Sequence, residues 1–174
     1  AIGENTAESS QGLCAIAIGT NAGRTSQASG SIAIGNNAGV GTQGINAVAI
    51  GFNAGRTSQA SGAVAIGESA GENTQGQACV AIGRSAGQFN QKNLATAVGF
   101  RAGETNQGTG AVAIGYVASR TNQGQYSVAL GYGANSTFAN SIAIMAQGNT
   151  ANLFTDKVNA CFIRPIANRA SYTK

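Results

Sequence analysis

The sequence predicts an all-β protein, a parallel β-roll or β-helix solenoid wound in coils of sixteen residues. Three observations predict it. Glycine recurs at positions 3, 19, 35, 51, 67, 83, 99, 115 and 131 without an insertion. Each of these glycines closes a run of small and aliphatic residues in alternation, as in Ser31-Ile32-Ala33-Ile34-Gly35 or Ala47-Val48-Ala49-Ile50-Gly51. The composition has 43% hydrophobic residues but only 6% aromatics, 26 Gly and 1 Pro among 174 residues, so the chain packs, in thin layers rather than around a thick core.

Each element follows from that repeat. Aliphatics at every second position form a short strand, because that period places them on one face. Gly19, Gly35, Gly51, Gly67, Gly83, Gly99, Gly115 and Gly131 supply the sharp corner after it. The remaining eleven residues, with Asn-Ala-Gly and Thr-Ser-Gln or Thr-Asn-Gln inside them, turn the chain and bring it back for the next strand. An identical phase over nine copies stacks the strands parallel and in register, as a rod about 43 Å long at ~4.8 Å per rung.

Stacking makes columns of equivalent positions. One reads Glu8, Arg24, Val40, Arg56, Glu72, Gln88, Glu104, Arg120, Ser136, with opposite charges adjacent and never like charges. Another is Gln27, Gln43, Gln59, Gln75, Gln91, Gln107 and Gln123, which is either an amide ladder along the rod or a row of solvent-facing turn residues. A third, just after the corner glycine, carries Phe52, Phe100, Tyr116 and Tyr132, interleaved with Thr20, Asn36, Glu68 and Arg84. These aromatics are candidates for ligand contact or for packing between subunits.

In Ala-Ile-Ala-Ile-Gly both strand faces are apolar, the pattern of a strand covered on both sides. A thin coil covers only one side with its own interior, so a sister chain is expected on the other. A threefold bundle is the simplest arrangement. Whether Ala or Ile points at the bundle axis stays open at this level.

At these residues the sequence resembles the head repeats of YadA-like trimeric autotransporter adhesins: Ser31-Ile32-Ala33-Ile34-Gly35, Ser127-Val128-Ala129-Leu130-Gly131 and the Ala-Val-Ala-Ile-Gly copies carry the likeness, over about residues 1–148. The resemblance implies a left-handed roll, a homotrimer and display on a stalk for attachment. This repeat is a couple of residues longer than the familiar one. Its Asn-Ala-Gly-x-Thr-Asn-Gln-Gly form is similar to repeats in fibre proteins of phages and large DNA viruses. Phe162-Ile163-Arg164-Pro165-Ile166 resembles the segment that joins such rolls to a C-terminal intramolecular chaperone, which would have been cleaved off here.

Residues 1–148 are accordingly expected to form the roll and 149–174 a capping or transition segment. The copy at Ser141-Ile142-Ala143-Ile144-Met145 is two residues short and lacks its glycine, which terminates the coil. The bulkier Leu153, Phe154, Val158, Phe162, Ile163, Pro165, Ile166 and Tyr172 follow it, and a capping strand over the last rung accounts for them equally well. The chain begins mid-pattern at Ala1, as a mature or excised fragment would.

Catalysis is not expected. With no His there is no Ser-His-Asp triad, Cys-His pair or imidazole metal ligand, and no cofactor is expected. Glu68 and Glu72 sit at different coil phases, as solvated turn charges rather than an acid–base pair. Gly39-Val40-Gly41-Thr42-Gln43-Gly44 fits a phosphate-loop pattern but leads into a strand instead of a helix. The net charge of +4 comes largely from Lys157, Arg164, Arg169 and Lys174, so nucleic-acid binding is not expected. No run of about 18 apolar residues exists, and membrane insertion of this segment is not expected. Cys14 and Cys79 lie four rungs apart, beyond disulfide reach, and read as small buried hydrophobes; Cys161 is the one placed to pair between subunits. Asn135-Ser136-Thr137 is a glycosylation sequon.

Three functions remain. The first is an extracellular attachment fibre or adhesin head on a virion or cell surface, holding a host glycan or surface protein, with assembly into longer fibres as a further expectation. The second is a structural filament or spacer without ligand. The third is an ice-binding solenoid, whose candidate column Thr25, Gly41, Thr57, Asn73, Phe89, Thr105, Thr121 is irregular for a flat lattice.

Overall fold

In the computed structural model, residues 1–145 and 157–164 are described. Among them are seventeen strands and no helix. The chain alternates between two parallel sheets: Ile32–Ile34 lies in the first, Thr42–Gln43 in the second, and Val48–Ile50 returns to the first. Ten strands, from Ile16–Ile18 to Cys161–Arg164, stack in the first sheet, and seven, from Ser26–Gln27 to Thr121–Gln123, in the second. Register advances by one repeat per rung: Ile16 pairs with Ile32, Ile32 with Val48, Val48 with Val64. Isolated bridges Ile2–Ile18 and Gln11–Gln27 extend both sheets toward the start of the chain. The solenoid and its sixteen-residue period are therefore as the sequence predicts, with three-residue main strands in place of five.

Side-chain volume decides which face turns inward. Between two sheets joined by tight corners there is room only for small groups, so the central Ala of each main strand points in. Ala17, Ala33, Ala49, Ala65, Ala81, Ala97, Ala113, Ala129 and Ala143 are buried, against a second column of Ala from the corner turns, Ala22 to Ala134. The aliphatics therefore face outward. Ile16, Ile18, Ile82, Ile114 and Ile142 are exposed and their neighbours half-buried, a continuous stripe along the rod.

The interior is completed by glutamine. Gln27 through Gln123 are buried, and each Nε2 donates across the coil to a main-strand carbonyl eleven residues back, as from Gln59 to Val48 at 2.7 Å and from Gln75 to Val64 at 2.8 Å. The same nitrogens donate to the next glutamine's Oε1, from Gln43 through Gln123, at 3.2 to 3.0 Å. This is an amide ladder, and the alternative of solvent-facing turn residues is overturned. The ladder has one gap: Gln43 Oε1 is buried without a partner, Gln27 Nε2 donating only to the carbonyls of Ile16 and Ser31.

The corner glycines are required twice over. Gly67 has φ +123, open only to glycine, and a Cβ there would lie 2.9 Å from the backbone carbon of Gly83, so successive corners nest. Two residues on, the turn needs a left-handed residue. Asn21, Asn37 and Asn53 fill that position at φ 55 to 57 and link their amides along the rod at 3.0 and 3.1 Å, whereas Val117 occupies it at φ 51. A β-branched residue is strained there by about 1–2 kcal/mol.

The C-terminal end departs from the expectation of a terminated coil. Ile142–Met145 continues the first sheet after a shortened return, Val128 pairing with Ile142. Met145 stands where a glycine would, and a Cβ on Gly131 would meet its carbonyl oxygen. One more strand, Cys161–Arg164, then pairs in parallel with Ile142–Met145, and Phe162 packs against the alanine core. The named tail residues Leu153, Phe154, Pro165, Ile166 and Tyr172 lie outside the described residues.

Cys79 is buried between Ala63 and Ala95, as expected for a small hydrophobe, and burial pushes its thiol above the ordinary range. Cys14 is exposed, contrary to expectation, because it falls one position earlier in the coil, at a left-handed corner residue with φ 58. Exposed Cys161 completes the set.

Two measurements test this interior. Gln75→Leu leaves the buried Gln91 Oε1 without its donor and removes one of the three acceptors of Gln59 Nε2, and should lower stability by about 1–3 kcal/mol, while Val117→Asn should raise it by about 1 kcal/mol, in denaturant melts. With a thiol-specific chromogenic reagent at pH 8, two thiols should react at once and Cys79 only as the fold opens. Three fast thiols would place Cys79 outside the core.

Candidate binding surface

The turn that follows each corner glycine forms the tip of the coil, and its first, second and fifth residues project outward. In the rungs from Gly67 to Gly131 these positions carry the chain's most chemically varied cluster: Glu68, Arg84, Phe100, Tyr116 and Tyr132 at the first, Arg101 at the second, and Glu72, Gln88, Glu104 and Arg120 at the fifth.

The first column is a stack. The rings of Phe100 and Tyr116 lie 5.1 Å apart at 23°, and those of Tyr116 and Tyr132 4.9 Å apart at 13°. Rung spacing is close to the stacking distance of aromatic rings, so in-register placement alone creates the contact, worth about 0.5–1.5 kcal/mol per pair. Arg84 closes the end of the stack, its guanidinium 4.5 Å from the centre of Phe100. Phe100 is therefore covered on one face by Arg84 and on the other by Tyr116. Phe100 and Tyr116 thus offer solvent their ring edges rather than flat faces, while Tyr132 has a ring partner on one face only among the described residues. Phe52 is not part of it: it stands 51% exposed with Asn36 and Glu68 as column neighbours and no ring partner among the described residues.

The charge column behaves as its alternation predicts. Arg24 meets Glu8 at 3.1 Å, Arg56 meets Glu72 at 3.4 Å and Arg120 meets Glu104 at 2.8 Å. Gln88, in place of a repeated sign, donates to the second oxygen of Glu72 at 2.7 Å. Glu72 is thus half-buried in a network rather than a solvated turn charge. Glu104 is only 7% exposed and is shared: Arg101 binds Oε1 through Nε at 2.9 Å and Nη2 at 2.8 Å, and Arg120 binds Oε2. The Arg101 contribution was not legible in the alternating column, because Arg101 sits three residues before Glu104 in another phase.

Between these columns lies an open hollow of about 290 Å³ lined by Glu68, Arg84, Ser85, Gln88, Phe100 and Arg101, among others. The second turn position is serine at 69 and 85 and arginine at 101, so a large side chain enters that position only at the far side of the hollow. A second open groove, of about 600 Å³, runs on another edge between Ile45 and Leu94, over Ser61, Gly62 and Ala78.

Other candidates fare differently. Thr25 Oγ1 donates to the carbonyls of Val40 and Gly41, and Thr57 Oγ1 to Glu72, so these hydroxyls of the proposed ice-binding column face the backbone rather than a lattice of water. Asn135 of the sequon has its carboxamide oxygen buried without a partner. Among the described residues no group of three or more His, Cys, Asp or Glu is placed to hold a metal ion, and no helix is long and apolar enough to cross a membrane.

The fold and the tip geometry meet at the last full coils, where Ser127-Val128-Ala129-Leu130-Gly131 leads into Ile142–Met145. Residues 123–144 match two copies of the YadA head domain repeat. That stretch is similar to YadA head repeats. No curated protein and no solved structure matches the chain. The matched YadA-like repeats include Tyr132 of the aromatic stack, and their coils stack in unbroken register on those that precede them.

The shared carboxylate is directly testable. Glu104→Gln leaves Arg101 and Arg120 facing each other without their anion and should cost about 1–3 kcal/mol at low salt, less at 1 M salt as repulsion is screened. An unchanged melting temperature at both salt concentrations would show the triad to be inert.

Proposed function

We propose that the chain is the head of a trimeric attachment fibre displayed outside the cell, on a cell surface or a virion, and that it is not an enzyme. The observation that carries this reading is the outward aliphatic stripe on a rod whose residues 123–144 are similar to YadA head repeats. Such a stripe, one or two Ile, Val or Leu per rung over ten rungs, is far larger than the apolar patches a lone soluble chain exposes. Three rods set side by side, with Ile and Val toward the common axis and Ala inside each coil, cover it. The left-handed winding implied by the resemblance belongs to the same proposal, as does the division into a roll over 1–148 and a transition segment over 149–174.

Attachment would use the tips, which this arrangement leaves outside the axis. A host glycan or surface protein would meet the edges and hydroxyls of Phe100, Tyr116 and Tyr132, and separately the ring of Phe52. A second reading, a structural spacer without ligand, is favoured by one observation: the faces of Phe100 and Tyr116, of the kind that usually stack on sugars, are already covered by neighbouring rings and by Arg84.

Light scattering in solution should give about three times the 17.2 kDa chain mass, and Ile50→Lys combined with Ile82→Lys should abolish that species. A stable 17.2 kDa monomer for the unaltered chain would overturn the trimer. A glycan array then separates the two readings, since retained binding that Tyr116→Ala with Tyr132→Ala removes favours attachment, and a blank array favours the spacer.

A further inference from the structure

The geometry points to the hollow beside Arg84 as a binding site for a single carboxylate-bearing sugar, with Arg84 holding the carboxylate and Glu68, Ser85 and Gln88 meeting hydroxyl groups. This deepens the attachment reading and rests on it.

Arg84 is the anomaly that motivates it. Arg24, Arg56, Arg101 and Arg120 each have a carboxylate within 3.4 Å. Arg84 has none among the described residues, although Glu68 stands one rung away in its own column. Its guanidinium is instead laid over Phe100. A guanidinium held over a ring through its central carbon still has its N–H groups to donate, and their planar fork matches the two oxygens of a carboxylate. The stacking contact holds the fork in place before any ligand arrives, so little side-chain freedom is lost on binding.

The surroundings select the rest of the ligand. Glu68 is a hydrogen-bond acceptor with no ion-pair partner among the described residues, and Ser85 and Gln88 add a hydroxyl and an amide. Acceptors and mixed donors around a cation suit a polyol that carries one acid group. A purely anionic ligand such as phosphate would meet Glu68 unfavourably, and the N–H groups of Arg101 are already engaged by Glu104. The volume, about 290 Å³, lies at the low end of small-ligand sites, ~300–1,000 Å³, and admits one sugar ring but not a folded peptide segment. Because the faces of Phe100 are occupied, the sugar is held by its acid and hydroxyl groups and by a ring edge, not by stacking.

The test is titration calorimetry on the assembled protein with N-acetylneuraminic acid, glucuronic acid, galactose and inorganic phosphate. Binding of either carboxylated sugar with a preference of at least tenfold over galactose and phosphate is expected, weakening as salt rises. Arg84→Gln should lose it about 100-fold, and Arg84→Lys, which keeps the charge but not the fork, about tenfold. Lys92→Gln, an equal loss of charge away from the hollow, should leave it unchanged. Equal affinity for galactose, a preference for phosphate, no binding, or equal losses in Arg84→Gln and Lys92→Gln would each overturn the site. Cell attachment measured alongside keeps the two claims apart: an Arg84→Gln protein that remains trimeric and adheres as before sinks the sugar site while leaving the attachment fibre standing.

Discussion

The width of the coil interior governs this molecule. Two sheets joined by corners of a few residues leave a gap that alanine fills, and larger apolar side chains go elsewhere except at the C-terminal end, where Met145 is buried and Phe162 packs on the core. Glutamine is the exception, admitted because it lies lengthwise across the gap and pays for its own burial through bonds to a carbonyl on the far sheet and to its neighbours above and below. Stability thus comes from repeated backbone and amide bonds more than from a greasy centre, and the burial of large side chains is deferred to the outside of the rod.

That deferral links packing to assembly. A chain that hides alanine and displays isoleucine has reversed the usual assignment, and the proposed trimer rests on that reversal. The tips, by contrast, are freed from packing duties. There the sequence varies from rung to rung, and rung spacing converts whatever stands in register into direct contacts: rings on rings, a cation on a ring, acids between bases.

Much of this was legible in the sequence because periodicity reports register directly. The corner glycines, the parallel order and the alternating charges follow from counting, and three predicted ion pairs have their partners within 3.4 Å. Counting could not orient the main strand, since Ile16-Ala17-Ile18 is apolar on both sides and only the size of the gap chooses between them. It misplaced Cys14, where a shift of one residue separates a buried position from an exposed corner. It offered a capping strand over the last rung only as one of two readings of the tail, because Cys161–Arg164, which does pair on Ile142–Met145, lacks the small-aliphatic alternation and its closing glycine. At the tips, the columns were visible but the direction taken by Arg84 was not: toward Glu68 and toward Phe100 are equally allowed by position, and the choice leaves one acid and one base without each other.

The nesting of the corner glycines has a consequence for how such a rod changes over time. Each corner rests on the backbone of the next, so a duplication or deletion of one complete winding leaves every fit intact and only alters length, whereas gain or loss of a single residue throws all later contacts out of phase. Genetic drift in this gene is therefore steered toward lengthening and shortening in whole units, up to the point where Met145 occupies the glycine's place.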